Sequence, residues 1–172
     1  TLDDEVGITT ACSGRLRFEA GVLLCGGKLF DPATLAQLGS LSGGYMRDAS
    51  IDTASRTIVG LTGSAEFANG PWLAAYDLDT YRLLWWLPVP EAGAVYSYNG
   101  PRVAAFPGGA ALRSDAGTLV IVDTRDAARL VLSRAGSGFG QVSASPASTT
   151  CGEDCARLLA AGTAVTLTAT AD

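Results

Sequence analysis

The stretch "LAAYDLDTYRLLWW", Leu73 to Trp86, decides how this chain is read, because its pattern occurs three times. "KLFDPATLAQLGSL" from Lys28, "AAYDLDTYRLLWWL" from Ala74 and "VIVDTRDAARLVLS" from Val120 align without gaps. In each, an apolar residue precedes an aspartate: Phe30–Asp31, Tyr76–Asp77 and Val122–Asp123. The step between copies is 46 residues both times. An apolar strand runs in, and the Asp opens a tight turn where its carboxylate can cap backbone N–H groups two residues on. A second strand then leaves.

Further strand candidates lie between the copies, in "DASIDTASRTIVGLTG" and "VYSYNGPRVAAFPGG", each with a turn signal inside it. "NGP" at Asn69 and at Asn99 marks loops. About four short strands per period is the content of one blade of a β-propeller or a similar β array. Glycines, β-branched residues and Ser/Thr turns outweigh any run at helical spacing. The expectation is an all-β chain: three propeller-blade-like repeats of 46-residue period in residues 1–135, then a C-terminal β-hairpin module in 136–172. The plainer alternative is a β-sandwich whose strands resemble one another, and the identical offset speaks against it.

Composition narrows the function classes. Of 172 residues, 48% are apolar and only 17% charged, so a core can form. The net charge of -5, with its basic residues scattered, argues against nucleic acid or an anionic membrane as partner. There is no histidine, which removes the commonest general base and the commonest metal ligand together. No apolar run approaches the roughly 18 residues of a membrane span. Thr1 starts on a polar stretch rather than a secretory leader, so either a leader has been removed or the chain is a piece of a longer polypeptide.

The four cysteines are Cys12, Cys25, Cys151 and Cys155. Their spacing does not suit two C-x-x-C zinc clips, so disulfides in an oxidising compartment are preferred over buried thiols. "CGEDC" closes a short loop easily. A hairpin turning at "EAG" does not set Cys12 opposite Cys25, so that pairing needs a wider loop or a bulge.

"AYDLDTYRLLW" resembles the repeat of pyrroloquinoline-quinone-type β-propellers, A-x-D-x-x-T-G-x-x-x-W, over about residues 21–134. Ala75, Asp77, Thr80 and Trp85 match it, and Tyr81 stands where the family has glycine. Thr34 matches Thr80, while Gly39 and Val131 stand where the tryptophan would be. The resemblance implies a fold rather than an activity, with Asp31, Asp77 and Asp123 at turns, and Trp85 docking between neighbouring blades. From about residue 138 to 172 the chain resembles a bacterial surface repeat of the form G-x-V-x-S-x-P…C-G-x-x-C…G-T-x-V-T-L-T-A. Gly140, Val142, Ser145, Pro146, Cys151, Gly152, Cys155 and the run from Gly162 to Ala169 carry it. In that family a further strand follows, so the repeat is truncated here. Val165, Leu167 and Ala169 alternate with threonines, a period of two with one face expected to be buried. "CARLLAAG" alone could also form a short helix.

Residues that could carry chemistry have plainer readings. The turns at Asp31, Asp77–Asp79 and Asp123–Asp126 offer oxygen ligands for calcium, but turn capping explains them with fewer assumptions. "LDDE" at Leu2–Glu5 reads as a solvated end, and no pair of carboxylates is singled out for glycoside hydrolysis. Trp72, Trp86, Tyr96 and Tyr98 form a candidate contact surface for a protein or a surface glycan. Trp85 and Trp86 are adjacent, so on a strand one belongs to the core and Trp86 is the candidate for an exposed contact.

The function expected is a non-catalytic, secreted or cell-surface bacterial structural or adhesive module, without cofactor or metal, with the periplasm as the alternative location. Its partner would be copies of itself, as in a surface assembly or filament, or the rest of a longer chain. The alternatives are an envelope scaffold propeller that binds proteins and a fragment of a quinoprotein dehydrogenase. The last is disfavoured because the chain has no adjacent-cysteine pair and no acidic–amide metal set, and three blades cannot enclose a cofactor.

Overall fold

The computed structural model describes residues 15–42, 46–62, 71–90, 102–114, 117–133, 140–145, 149–151 and 154–171. Tight turns dictate its first sheet. Ala20 and Gly21 have φ of 52° and 78°, and Gly26 and Gly27 have 55° and 82°. Two consecutive left-handed residues make the two-residue hairpin loop whose twist matches that of its strands. Strands β1 (Leu16–Glu19), β2 (Val22–Cys25) and β3 (Lys28–Phe30) therefore follow one another at the shortest spacing. With β4 (Gln37–Ser40) they form an antiparallel sheet in chain order. Cys25 lies opposite Leu16 in this register. Cys12 lies outside the described residues.

The same up-and-down order recurs. Strands β5 (Met46–Asp52), β6 (Thr57–Thr62), β7 (Trp72–Asp77) and β8 (Leu83–Pro88) pair successively, all antiparallel. Strands β9 (Arg102–Phe106), β10 (Gly109–Arg113) and β11 (Leu119–Asp123) do likewise. Residues 1–123 form one compact unit and 124–172 a second.

Two apolar clusters fill the gaps between these sheets. Leu24 and Leu29 of the β1–β4 sheet meet Ile51, Ile58, Ala74 and Tyr76 of the β5–β8 sheet. The other face of that middle sheet, with Val59, Leu61, Leu73 and Ala75, meets Val103, Ala110, Leu112 and Val122 of the β9–β11 sheet. The middle sheet is thus covered on both faces, which explains the unbroken apolar runs in β6 and β7. Each fully buried Leu or Ile contributes about 1.5–3 kcal/mol against exposure, so these clusters dominate the unit's stability.

In the second unit β12 (Ala127–Ser133) pairs with β15 (Asp154–Ala160). Strand β13 (Gly140–Ser145) lies between β14 (Thr149–Cys151) and β16 (Thr166–Ala171). "CARLLA" is therefore strand, and the described residues contain no α-helix. The module holds more than one hairpin, with β12 added from the third copy of the repeat. One expectation needs correction. Every residue of β16 is exposed, Leu167 and Ala169 included, so the alternating face predicted to be buried is open in this structure.

Candidate functional site

The turn aspartates are the first group to place. Asp31 Oδ1 accepts the N–H groups of Ala33 and Thr34, both at 2.8 Å. Asp77 Oδ1 accepts those of Asp79 at 3.0 Å and Thr80 at 2.8 Å, and the Thr80 hydroxyl at 2.9 Å. Leu35 N–H donates to Asp31 O and Tyr81 N–H to Asp77 O, closing both loops alike. The fifth residue of each loop is left-handed: Leu35 has φ of 56° and Tyr81 of 58°. That is a position suited to glycine, and it is where Tyr81 replaces the glycine of the resembling motif. The N–H donors stabilise the ionised carboxylates, so Asp31 and Asp77 titrate below the usual range.

A third loop of this kind sits at Asp52, where "D-T-A-S-R" repeats the pattern of "D-P-A-T-L" and "D-L-D-T-Y". Asp52 Oδ1 accepts Ala54 N–H at 3.0 Å, its other oxygen accepts the Ser55 hydroxyl, and Arg56 has φ of 52°. The sequence reading passed over it because it falls off the 46-residue step. Asp123 differs. It ends β11, and the chain turns within Thr124–Asp126, with Ala127 N–H donating to Thr124 O at 3.2 Å. The fourth position of that loop is Asp126 rather than Thr or Ser, and the fifth, Ala127, already starts β12. The third copy is strand–turn–strand, with β11 paired to β10 and β12 paired to β15.

A second group is a polar seam that the sequence reading missed. Asp48, Ser50 and Asp52 alternate with Ala49 and Ile51 in β5, which looks like an exposed face; all five are buried. Asp48 sits 3.1 Å from Arg17 Nε and accepts Val103 N–H at 2.9 Å. Ser50 accepts Ala105 N–H at 3.1 Å and donates to Glu19 at 3.1 Å. Glu19 also accepts Ile51 N–H at 3.1 Å. Side chains of β1 and β5 thus satisfy edge N–H groups of β5 and β9, which lie in other sheets. Burial raises the Asp48 carboxyl above its ordinary range, against the Val103 N–H and the Arg17 charge. The seam joins the sheets. Most of its hydrogen bonds are made across the sheets, and Asp48 Oδ1 has the Arg17 charge beside it rather than a hydrogen bond.

The aromatic group is rearranged relative to expectation. Trp85 packs against the cluster shared with the β9–β11 sheet and Trp86 against the cluster shared with the β1–β4 sheet. Adjacent strand residues point to opposite faces, and here both faces are covered. Trp72, expected on a contact surface, is buried, and it meets Trp86 edge to face with ring centroids 4.1 Å apart. An edge-to-face pair offers no flat platform for a sugar; Trp72 is a packing residue here, while Trp86 is half-buried. Tyr96 and Tyr98 lie outside the described residues, as does "LDDE". The ring of Tyr81 lies over Gly39, where a Cβ would come within 2.2 Å of it. Tyr81 fills the space that the missing tryptophan leaves free in the first copy. Thr34 donates its N–H to Asp31, and Val131 is exposed on β12.

Compared with known proteins, the chain matches no family model and no curated relative. Among solved structures it is similar to the computationally designed Ika4 protein, at 17% identity and a TM-score of 0.43. That match covers 63% of this chain and 63% of that one, less than two thirds of either, and the likeness is too slight to carry an argument.

Proposed function

We propose that the protein is a non-catalytic structural or adhesive β module of a bacterial surface, with its three sheets in residues 1–123 acting as propeller-type blades. The observation that carries this is the stacking: consecutive sheets are laid face to face, and the polar groups able to do chemistry are spent on holding loops and sheets. Asp31, Asp52 and Asp77 cap loops, and Asp48 with Glu19 ties edges. Single-chain propellers close with about four to eight blades, so a stack of this size is a part that fits into something larger. Strand β16, an exposed edge strand, gives a second joining element, and the Thr163–Thr170 segment is suited to strand addition onto another copy.

Location outside the cytoplasm and disulfides using Cys12, Cys25, Cys151 and Cys155, with Cys151 bridged to Cys155, belong to the same proposal. Cys25 is buried, and no cysteine among the described residues is free. Quantitative thiol labelling of unreduced, denatured protein should find no reactive thiol; four would remove both the bridges and the export. The competing class, a quinoprotein fragment, is tested by adding pyrroloquinoline quinone with Ca²⁺. No cofactor absorbance should remain with the protein after gel filtration, and retained quinone would overturn the structural reading.

A further inference from the structure

The first strands of the three sheets in residues 1–123, β1, β5 and β9, carry corresponding positions. The 46-residue step makes Tyr76 and Val122 equivalent. Tyr76 stands opposite Ile58, and Ile58 opposite Ile51. Val122 stands opposite Ala110, and Ala110 opposite Ala105. Ile51 of β5 and Ala105 of β9 therefore hold the same place in successive sheets. In both, the backbone N–H at that place is accepted by a side chain of the preceding sheet's first strand. Glu19 Oε2 of β1 accepts Ile51 N–H at 3.1 Å, and Ser50 Oγ of β5 accepts Ala105 N–H at 3.1 Å. Ser50 belongs to both joints. Its hydroxyl donates to Glu19 Oε1 at 3.1 Å, and the residue is only 3% exposed. A serine hydroxyl has one proton and two lone pairs, so with the proton directed at Glu19 only lone pairs face the Ala105 N–H. The bonds run in one direction, from β9 through β5 to β1.

We propose that Ser50 is a relay coupling the two sheet joints, so that the Glu19 carboxylate of β1 strengthens the hold on Ala105 of β9 by way of β5. The cause is polarisation. A hydroxyl that donates to a carboxylate carries more negative charge on its oxygen and accepts more strongly, and burial sharpens the effect because little water screens it. A neighbouring bond lies off the relay. Val103, on the same strand as Ala105, gives its N–H to Asp48 Oδ2 at 2.9 Å. Asp48 answers to Arg17, whose Nε lies 3.1 Å from Oδ1, while the Arg17 guanidinium is 3.9 Å from Glu19. Losing the Glu19 charge leaves Arg17 to Asp48, so the hold on Val103 is kept while that on Ala105 weakens. Two N–H groups on one strand edge thus answer differently to a change in β1.

Amide hydrogen exchange of the full chain, read residue by residue by NMR, tests this with Glu19→Gln and Ser50→Ala. Glutamine keeps the shape of Glu19 but offers a single acceptor oxygen and no charge. In Glu19→Gln the Ala105 amide should exchange roughly threefold faster or more, while Val103 stays within about twofold of the parent chain. Ser50→Ala should speed Ala105 by roughly tenfold or more, since it strips the acceptor outright. Adding Glu19→Gln to Ser50→Ala should leave Ala105 where Ser50→Ala put it, because the relay is already cut. Ala105 unchanged in Glu19→Gln overturns the proposal, and so does Val103 speeding up in step with Ala105, which marks a general loosening of the unit. A further rise of Ala105 in the double variant also overturns it, because the effect of Glu19 would then bypass Ser50. Glu19 is partly exposed and glutamine is of the same size, so that variant should fold. If Ser50→Ala does not fold, the contrast between Ala105 and Val103 in Glu19→Gln decides alone.

Discussion

Left-handed residues that are not glycine mark where single substitutions should tell most. Ala20 opens a two-residue hairpin loop at φ 52° and is exposed, so Ala20→Asn should stabilise the fold by roughly 0.5–1 kcal/mol in urea unfolding. Gly39→Ala should cost roughly 1–3 kcal/mol, because the new methyl meets the Tyr81 ring. In a Tyr81→Ala background the same change should cost little, and a double-mutant cycle reads that coupling. The carboxylates give two opposite pH dependences. Asp31 and Asp77 titrate below 3.8 in the fold, so their stabilisation is present above that value and is lost as pH falls through the folded one. Asp48 is raised above 3.8, so it favours the fold below that value and loses that contribution as pH rises through the higher, folded one. Asp77→Asn should therefore lose less stability in strong acid than the parent chain. Asp48→Asn should flatten the mildly acidic part of the profile.

At the scale of elements, the strand–turn–strand units were legible because loop chemistry is local. Asp followed by Thr or Ser at the fourth position marks these loops, and the sequence carries it at Asp31, Asp52 and Asp77. The third copy is strand–turn–strand as expected, but its loop is shorter, with Asp126 at the fourth position and β12 starting at the fifth. Strand β5 was legible as a strand, but its burial was not. Its alternating Asp and Ser look solvent-facing, yet they are buried because edge N–H groups of another sheet are there to be satisfied. Nothing local announces a partner 55 residues away. The middle sheet is where the packing is most costly to disturb. Leu73 is wholly buried in β7, and Leu73→Ala should cost about 2–5 kcal/mol in denaturant unfolding. A cost under about 1 kcal/mol would mean that the cluster around it does not hold the unit together.

For the whole molecule, the step that spaces the loops also spaces the faces, and that link carries the account from sequence to assembly. Sheets that repeat along a chain bury each other's faces in turn, as the β5–β8 sheet does with its neighbours on either side. Exposed Leu119 and Ile121 on an edge strand, and the open edge of β16, are what a soluble monomer normally blunts with charge or bulges. The candidate site was the part least legible in the sequence: Trp72, named for a contact surface, is buried against Trp86, a pairing across two strands that no local pattern announces. Sedimentation velocity of the full chain over a wide concentration range tests the account most directly. It predicts species larger than the 17.6 kDa monomer that grow with concentration. A single species of monomer mass at every concentration would contradict it.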